Sequence, residues 1–88
     1  MATVYCAPPL LKFTGGVAER NVEGDTINEV LTNADAIWPG LGSAVSDGAR
    51  PRAGVMVFVD GHEARDLSSP ERLTRHSRVE LVTIAYGG

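Results

Sequence analysis

The stretch GVMVFVDG, Gly54 to Gly61, constrains the fold more than any other part of the chain. Val55, Val57 and Val59 alternate with Met56 and Phe58, so a strand here puts valines on one face and large apolar groups on the other. A strand apolar on both faces is expected to be central in its sheet and covered on both sides. Asp60–Gly61 follows at once and predicts a two-residue hairpin turn, because a primed turn needs positive φ. His62 to Ala64 is the expected start of the return strand. The chain must therefore build a sheet, and something must cover it.

One segment is a good helix. In EGDTINEVLTNADAIW, Glu23 to Trp38, Thr26 and Glu29 have the spacing of a capping box, with Asp25 just before it. Ile27, Val30, Leu31, Ala34 and Trp38 recur at helical spacing and form one apolar stripe. Pro39–Gly40 stops the helix. Residues 40–54 read as a loop with a single helical turn around Ser43 to Val45. Thr3 to Ala7 is the first strand, stopped by Pro8–Pro9. Phe13 to Gly16 reads as a turn into a second strand, Val17 to Val22. SSPERL, Ser68 to Leu73, predicts a short helical turn with Pro70 near its start. Arg78 to Ile84 is the last strand. The order strand, strand, helix, strand, strand, strand fits an α+β domain, with one main helix on one face of a mixed sheet of about five strands. Residues 1–84 are expected to form that domain and residues 85–88 a flexible tail.

Composition excludes several function classes. With 88 residues the chain is one small domain, with little room for a deep catalytic cleft. A net charge of −3 argues against a general nucleic-acid binder, which needs a basic excess. The charge is uneven. Residues 1–49 hold Lys12 and Arg20 against six acids, while residues 50–88 hold six arginines against five acids. Arg72, Arg75 and Arg78 cluster beside His76, as a solvated loop or as part of a docking face. The single cysteine, Cys6, lies in an apolar strand and reads as a small buried hydrophobe. Its usage fits a reducing cytoplasm. No signal peptide is visible, and nothing approaches the ~20 apolar residues of a membrane span. His62 and His76 have no cysteine near them, so no metal site is expected. Asp60, Glu63 and Asp66 read as acids of an exposed hairpin.

The chain stops at TIAYGG, and a terminal Gly-Gly directly after a strand is specific. Together with GDTINEVL (Gly24 to Leu31), VFVDG (Val57 to Gly61) and VELVTIAYGG (Val79 to Gly88), it resembles the MoaD/ThiS family of ubiquitin-like sulfur-carrier proteins. FTGG, Phe13 to Gly16, leans the resemblance toward the cysteine-biosynthesis type of carrier. The likeness covers nearly the whole chain. It departs from the family at His76–Ser77, where Gly-Asp is common, and at Tyr86, where the residue is usually small. The resemblance implies the ubiquitin-like β-grasp, with the first and last strands adjacent and parallel at the centre.

The resemblance also implies a chemistry. A ubiquitin-activating-type partner adenylates the Gly88 carboxylate with ATP. A sulfur donor, such as a rhodanese or a cysteine desulfurase, displaces AMP and leaves a thiocarboxylate. A sulfur-accepting synthase then takes the sulfur. The chain would be a protein co-substrate without a stably bound cofactor, and Ala85, Tyr86 and Gly87 would thread a narrow cleft where glycine has no Cβ to clash. Met56, Phe58, Val82 and Ile84, on an apolar face, and Arg72, Arg75 and Arg78 are the candidates for partner binding. Three alternatives stay open: the small subunit of a molybdopterin-synthase-like complex, a ubiquitin-like modifier of lysines, and an interaction domain with an inert tail.

Overall fold

A computed structural model describes residues 1–84 of the chain. Its main helix forms where the capping signal lies. The Thr26 hydroxyl accepts from the Glu29 N–H at 3.3 Å, and the Glu29 carboxylate accepts from the Asp25 N–H at 2.8 Å. One of the unpaired donors of the first turn, the Glu29 N–H, is thereby satisfied, and the Glu29 side chain ties the turn back to the chain entering it. The helix, α2, runs Ile27–Ile37. Its stripe of Ile27, Val30, Leu31 and Ala34 is buried, with Trp38 just beyond its end. Gly24 sits just ahead of it at φ 143°, and a Cβ there would lie 2.7 Å from the Val30 nitrogen. Only glycine fits so close under the helix. At the far end the Asp35 carboxylate accepts from the N–H groups of Gly40 and Gly42, at 3.1 and 2.9 Å. That links α2 to a short helix, α3, Leu41–Val45.

Strands β1 (Ala2–Cys6), β2 (Glu19–Val22), β5 (Val55–Val59), β6 (His62–Glu63) and β7 (Arg78–Thr83) form one mixed sheet in the order β2-β1-β7-β5-β6. β1 and β7 are parallel and adjacent, as the resemblance implied, and β7 is the middle strand. β5 pairs antiparallel with β7 along its whole length, Val55↔Thr83 to Val59↔Val79. The Asp60–Gly61 turn has φ of 50° and 84°, both positive as a primed turn requires. Val4, Cys6, Val22, Val57, Val79 and Leu81 point to one face and meet the buried residues of α2 and α3 in a single core. A further two-stranded ribbon, β3 (Ser46–Asp47) with β4 (Arg50–Pro51), follows α3.

Four expectations need correction. Strand β5 is not central and is not covered on both sides: β7 holds the centre, and Met56 and Phe58 are only half-buried. Its second apolar row therefore faces outward. Pro8–Pro9 end β1 but also begin a 3-10 turn, Pro8–Leu10, that runs into a short helix, α1, Leu11–Thr14. Proline's missing N–H costs nothing in a first helical turn. The second strand consequently starts at Glu19 rather than Val17. Residues 40–54 hold the β3–β4 ribbon as well as the expected helical turn. Ser68 to Leu73 is not helical, because side chains take its backbone donors. The Asp66 carboxylate accepts from the N–H and hydroxyl of Ser68, at 3.0 and 2.6 Å, and the Ser69 hydroxyl accepts from the Glu71 N–H. The strap is pinned by Leu67 in the core and by the Leu73 N–H donating to the Asp25 carbonyl at 2.7 Å.

Candidate functional site

The face of the sheet opposite the core carries the alternate residues of each strand. Register places Glu19, Tyr5, Glu80, Phe58 and Glu63 in one row across all five strands. Thr3 and Arg78 are paired in a second row, and Val82 and Met56 in a third. None of these residues is fully buried. The face has two halves. Toward β2 it is polar: Arg78 donates to Glu19 at 2.9 Å, lies 3.9 Å from Glu80, and stacks its guanidinium 5.2 Å from the Tyr5 ring. These groups are substantially exposed, so their pairing is worth at most about 1 kcal/mol. Toward β5 it is apolar, with Met56, Phe58 and Val82. Ile84 continues the β7 register by donating its N–H to the Gly54 carbonyl at 2.7 Å, and its side chain is 44% exposed. Met56, Phe58, Val82 and Ile84 are thus brought together, at the end of β7 that leads to the tail. Ala85, Tyr86, Gly87 and Gly88 lie outside the described residues.

The three arginines singled out beside them do not converge on that place. Only Arg78 lies on the open face. Arg72 pairs with Asp25 at 3.0 Å, and Arg75 donates to the His76 ring at 3.4 Å, both in the loop that precedes β7. The six residues of β7 separate that loop from the tail by about 20 Å. The arginines that share a groove with Ile84 are Arg50, Arg52 and Arg65, which line a volume of about 320 Å³ with Met56 and Glu63. Arg50 and Arg52 flank Pro51, but nothing in the local sequence joins Arg65 to them, because it comes from the segment after β6.

Other candidate groups are locally engaged. The Asp60 carboxylate accepts from the Arg78 N–H at 2.8 Å, and Glu63 pairs with Arg65 at 3.3 Å. The Ser68 hydrogen bonds hold the Asp66 carboxyl below its ordinary range, with a smaller push from Arg50. Cys6 lies on the core face at 1% exposure, and burial pushes its thiol up. A neutral thiol is a weak nucleophile. Among the described residues, no group of three or more His, Cys, Asp or Glu side chains could hold a metal ion. Among the described residues, no helix is long and apolar enough to cross a membrane.

A mixed sheet with parallel first and last strands, closed on one side by a single main helix, is the ubiquitin-like β-grasp. Solved structures share this fold along the whole chain. A chain of the BexX/CysO complex from Amycolatopsis orientalis superposes with a TM-score of 0.86 at 16% identity, covering 100% of both chains. CysO from Mycobacterium tuberculosis gives 0.82 at 19% identity, covering 97% of this chain and 100% of its own. SAMP1 from Haloferax volcanii gives 0.72 at 19% identity, with 99% and 98% covered. No family model matches the chain. No match is found among curated protein sequences. At these identities the likeness establishes the fold.

Proposed function

We propose that this protein is a sulfur carrier. Its domain, residues 1–84, presents the segment 85–88 to partner enzymes, and the Gly88 carboxylate is the reactive group. A carboxylate is a poor electrophile at neutral pH. Adenylation by a ubiquitin-activating-type partner, at the expense of ATP, supplies AMP as a leaving group. The persulfide of a rhodanese- or cysteine-desulfurase-type donor then displaces AMP to give an acyl disulfide, a second thiol cleaves that S–S bond by forming a disulfide with the donor's sulfur and releases the thiocarboxylate, and a synthase accepts the sulfur. The proton transfers belong to those partners. ATP is bound by the adenylating partner, and this chain holds no cofactor of its own. The setting is the cytoplasm.

The observation that carries this reading is the placement of β7. The middle strand ends beside the apolar patch of Met56, Phe58, Val82 and Ile84 and leads directly into Ala85–Gly88. A partner that covers the patch also receives the tail, whose four residues span at most about 13–14 Å when extended. The full-length likeness to CysO supports the cysteine-biosynthesis lean. A second reading, a protein modifier, is favoured by the likeness to SAMP1, since a second Haloferax volcanii structure of this fold is that of small archaeal modifier protein 1. Lys12 is the only lysine, so side-chain-linked polymers of this protein could use one site only.

Mass spectrometry of the intact protein, purified with its adenylating enzyme, ATP and a sulfur source, tests both. Replacement of one C-terminal oxygen by sulfur is the expected result. Persistence of the carboxylate alone would sink the carrier reading. Thiol-resistant adducts on many host lysines that depend on Gly88 would move the modifier reading to first place.

A further inference from the structure

The groove at the tail root is basic in an otherwise acidic molecule. Arg50, Arg52 and Arg65 line it with a single acid, Glu63. The whole chain carries −3, so the residues other than these three arginines sum to −6. Tertiary structure makes the cluster. The Leu67 N–H donates to the Ala49 carbonyl at 2.8 Å, which brings the segment after β6 against β4. The Val55 N–H donates to the Arg52 carbonyl at 2.9 Å, and the Ile84 N–H to the Gly54 carbonyl at 2.7 Å, which sets the end of β7 beside both. All three arginines are exposed. Arg65 is paired with Glu63 but remains 85% exposed, and Arg52 donates to the Ser43 carbonyl. Arg50 makes no ion pair among the described residues. Pro51, Val55 and Met56 also line the groove, and through Met56 it adjoins the apolar patch of the open face.

We propose that this groove is a docking site for an acidic surface of the adenylating partner, one that carries carboxylates around an apolar residue. The inference rests on the carrier reading, which supplies the tail that such a partner must receive. The occupant must offer negative charge to Arg50, Arg52 and Arg65 and an apolar group to Met56 and Ile84, a combination that a protein surface supplies. A planar guanidinium fork matches a carboxylate with two parallel hydrogen bonds. Exposed charges of this kind act mainly by steering the encounter and fixing its register. The arginines share their groove with Ile84, the residue before the tail, so the register they fix is the one that aims the tail. Arg72 and Arg75, at the other end of β7, contribute nothing to it.

The test is ATP–pyrophosphate exchange by the host's purified adenylating enzyme with this protein as substrate. Arg50→Glu combined with Arg65→Glu should raise KM by at least about tenfold and leave kcat within about twofold. Arg52 is left in place because its bond to Ser43 is structural, and circular dichroism checks that the variant is folded. The wild-type KM should rise with salt as the charges are screened, and the variant's should rise less. Arg72→Glu with Arg75→Glu makes the same change in net charge and should leave KM unaltered. An unchanged KM in the groove variant overturns the docking proposal while exchange itself upholds the carrier reading. An equal rise in the Arg72/Arg75 control also overturns it, because net charge would then be the cause. Absence of exchange with the wild type overturns the carrier reading and this proposal with it. Sedimentation is run in parallel. A wild-type dimer that the groove variant cannot form would assign the groove to a second copy of this chain and overturn the proposal.

Discussion

The two faces of the sheet are built from the same strands and differ sharply in burial. On the core face, Val4, Val57, Val79 and Leu81 are wholly buried against α2 and α3. On the other face, their neighbours Tyr5, Met56, Phe58, Glu80 and Val82 are half-exposed, and Arg78 joins Glu19 and Tyr5 in a polar cluster. Alternation along a strand lets one residue hold the fold while the next is free to serve recognition. Stability should therefore reside in one set and partner binding in the other.

The sharpest way to break this division is to mutate neighbours on one strand. Leu81→Ala should destabilise the protein by about 2–5 kcal/mol, the range for emptying a leucine site in a core. Urea unfolding measures it. A loss within the range of surface changes would mean that the core is held elsewhere. Next in size is Gly24→Ala, which places a Cβ against the Val30 backbone at positive φ. It should cost about 1–3 kcal/mol, read as a lowered melting temperature, because the lid over the core face would have to shift. Val82→Ala, one residue from Leu81 but on the open face, should cost under about 1 kcal/mol and instead raise KM in the activation assay. Equal destabilisation by Leu81→Ala and Val82→Ala would erase the comparison. Deleting Gly88 should give the smallest change in stability, within about 0.5 kcal/mol, and abolish adenylation. A large melting shift on that deletion would contradict the separation of fold from tail.

Local signals were legible in the sequence because local chemistry dictates them. The Thr26–Glu29 cap, the Pro39–Gly40 stop, the valine alternation of β5 and the Asp60–Gly61 turn each act within a few residues. Where two local readings competed, tertiary contacts chose. Pro8–Pro9 could end a strand or open a helical turn, and they do both. Ser68 to Leu73 had a helical start signal, but Asp66 and Ser69 took its donors while Leu67 and Leu73 stretched it between two anchors. That Met56, Phe58, Val82 and Ile84 share one face was legible, because they have one alternation parity across two paired strands. The spatial arrangement of the arginines was not. Arg72, Arg75 and Arg78 are close in sequence yet spread over one end of the sheet and its open face. Arg50 and Arg52 are near neighbours in sequence, but Arg65 joins them only in the fold.

The position of β7 has a mechanical consequence. It is bonded on one side to β1 over the pairs Thr3↔Arg78 to Cys6↔Leu81 and on the other to β5 over Val55↔Thr83 to Val59↔Val79. A pull applied through Thr83 runs along the strand axis, at right angles to most of those hydrogen bonds. It cannot peel them one at a time, as it would on an edge strand like β6, but loads both ladders together in shear. An enzyme that grips the tail and draws it into a cleft can therefore put tension on it while the domain stays whole.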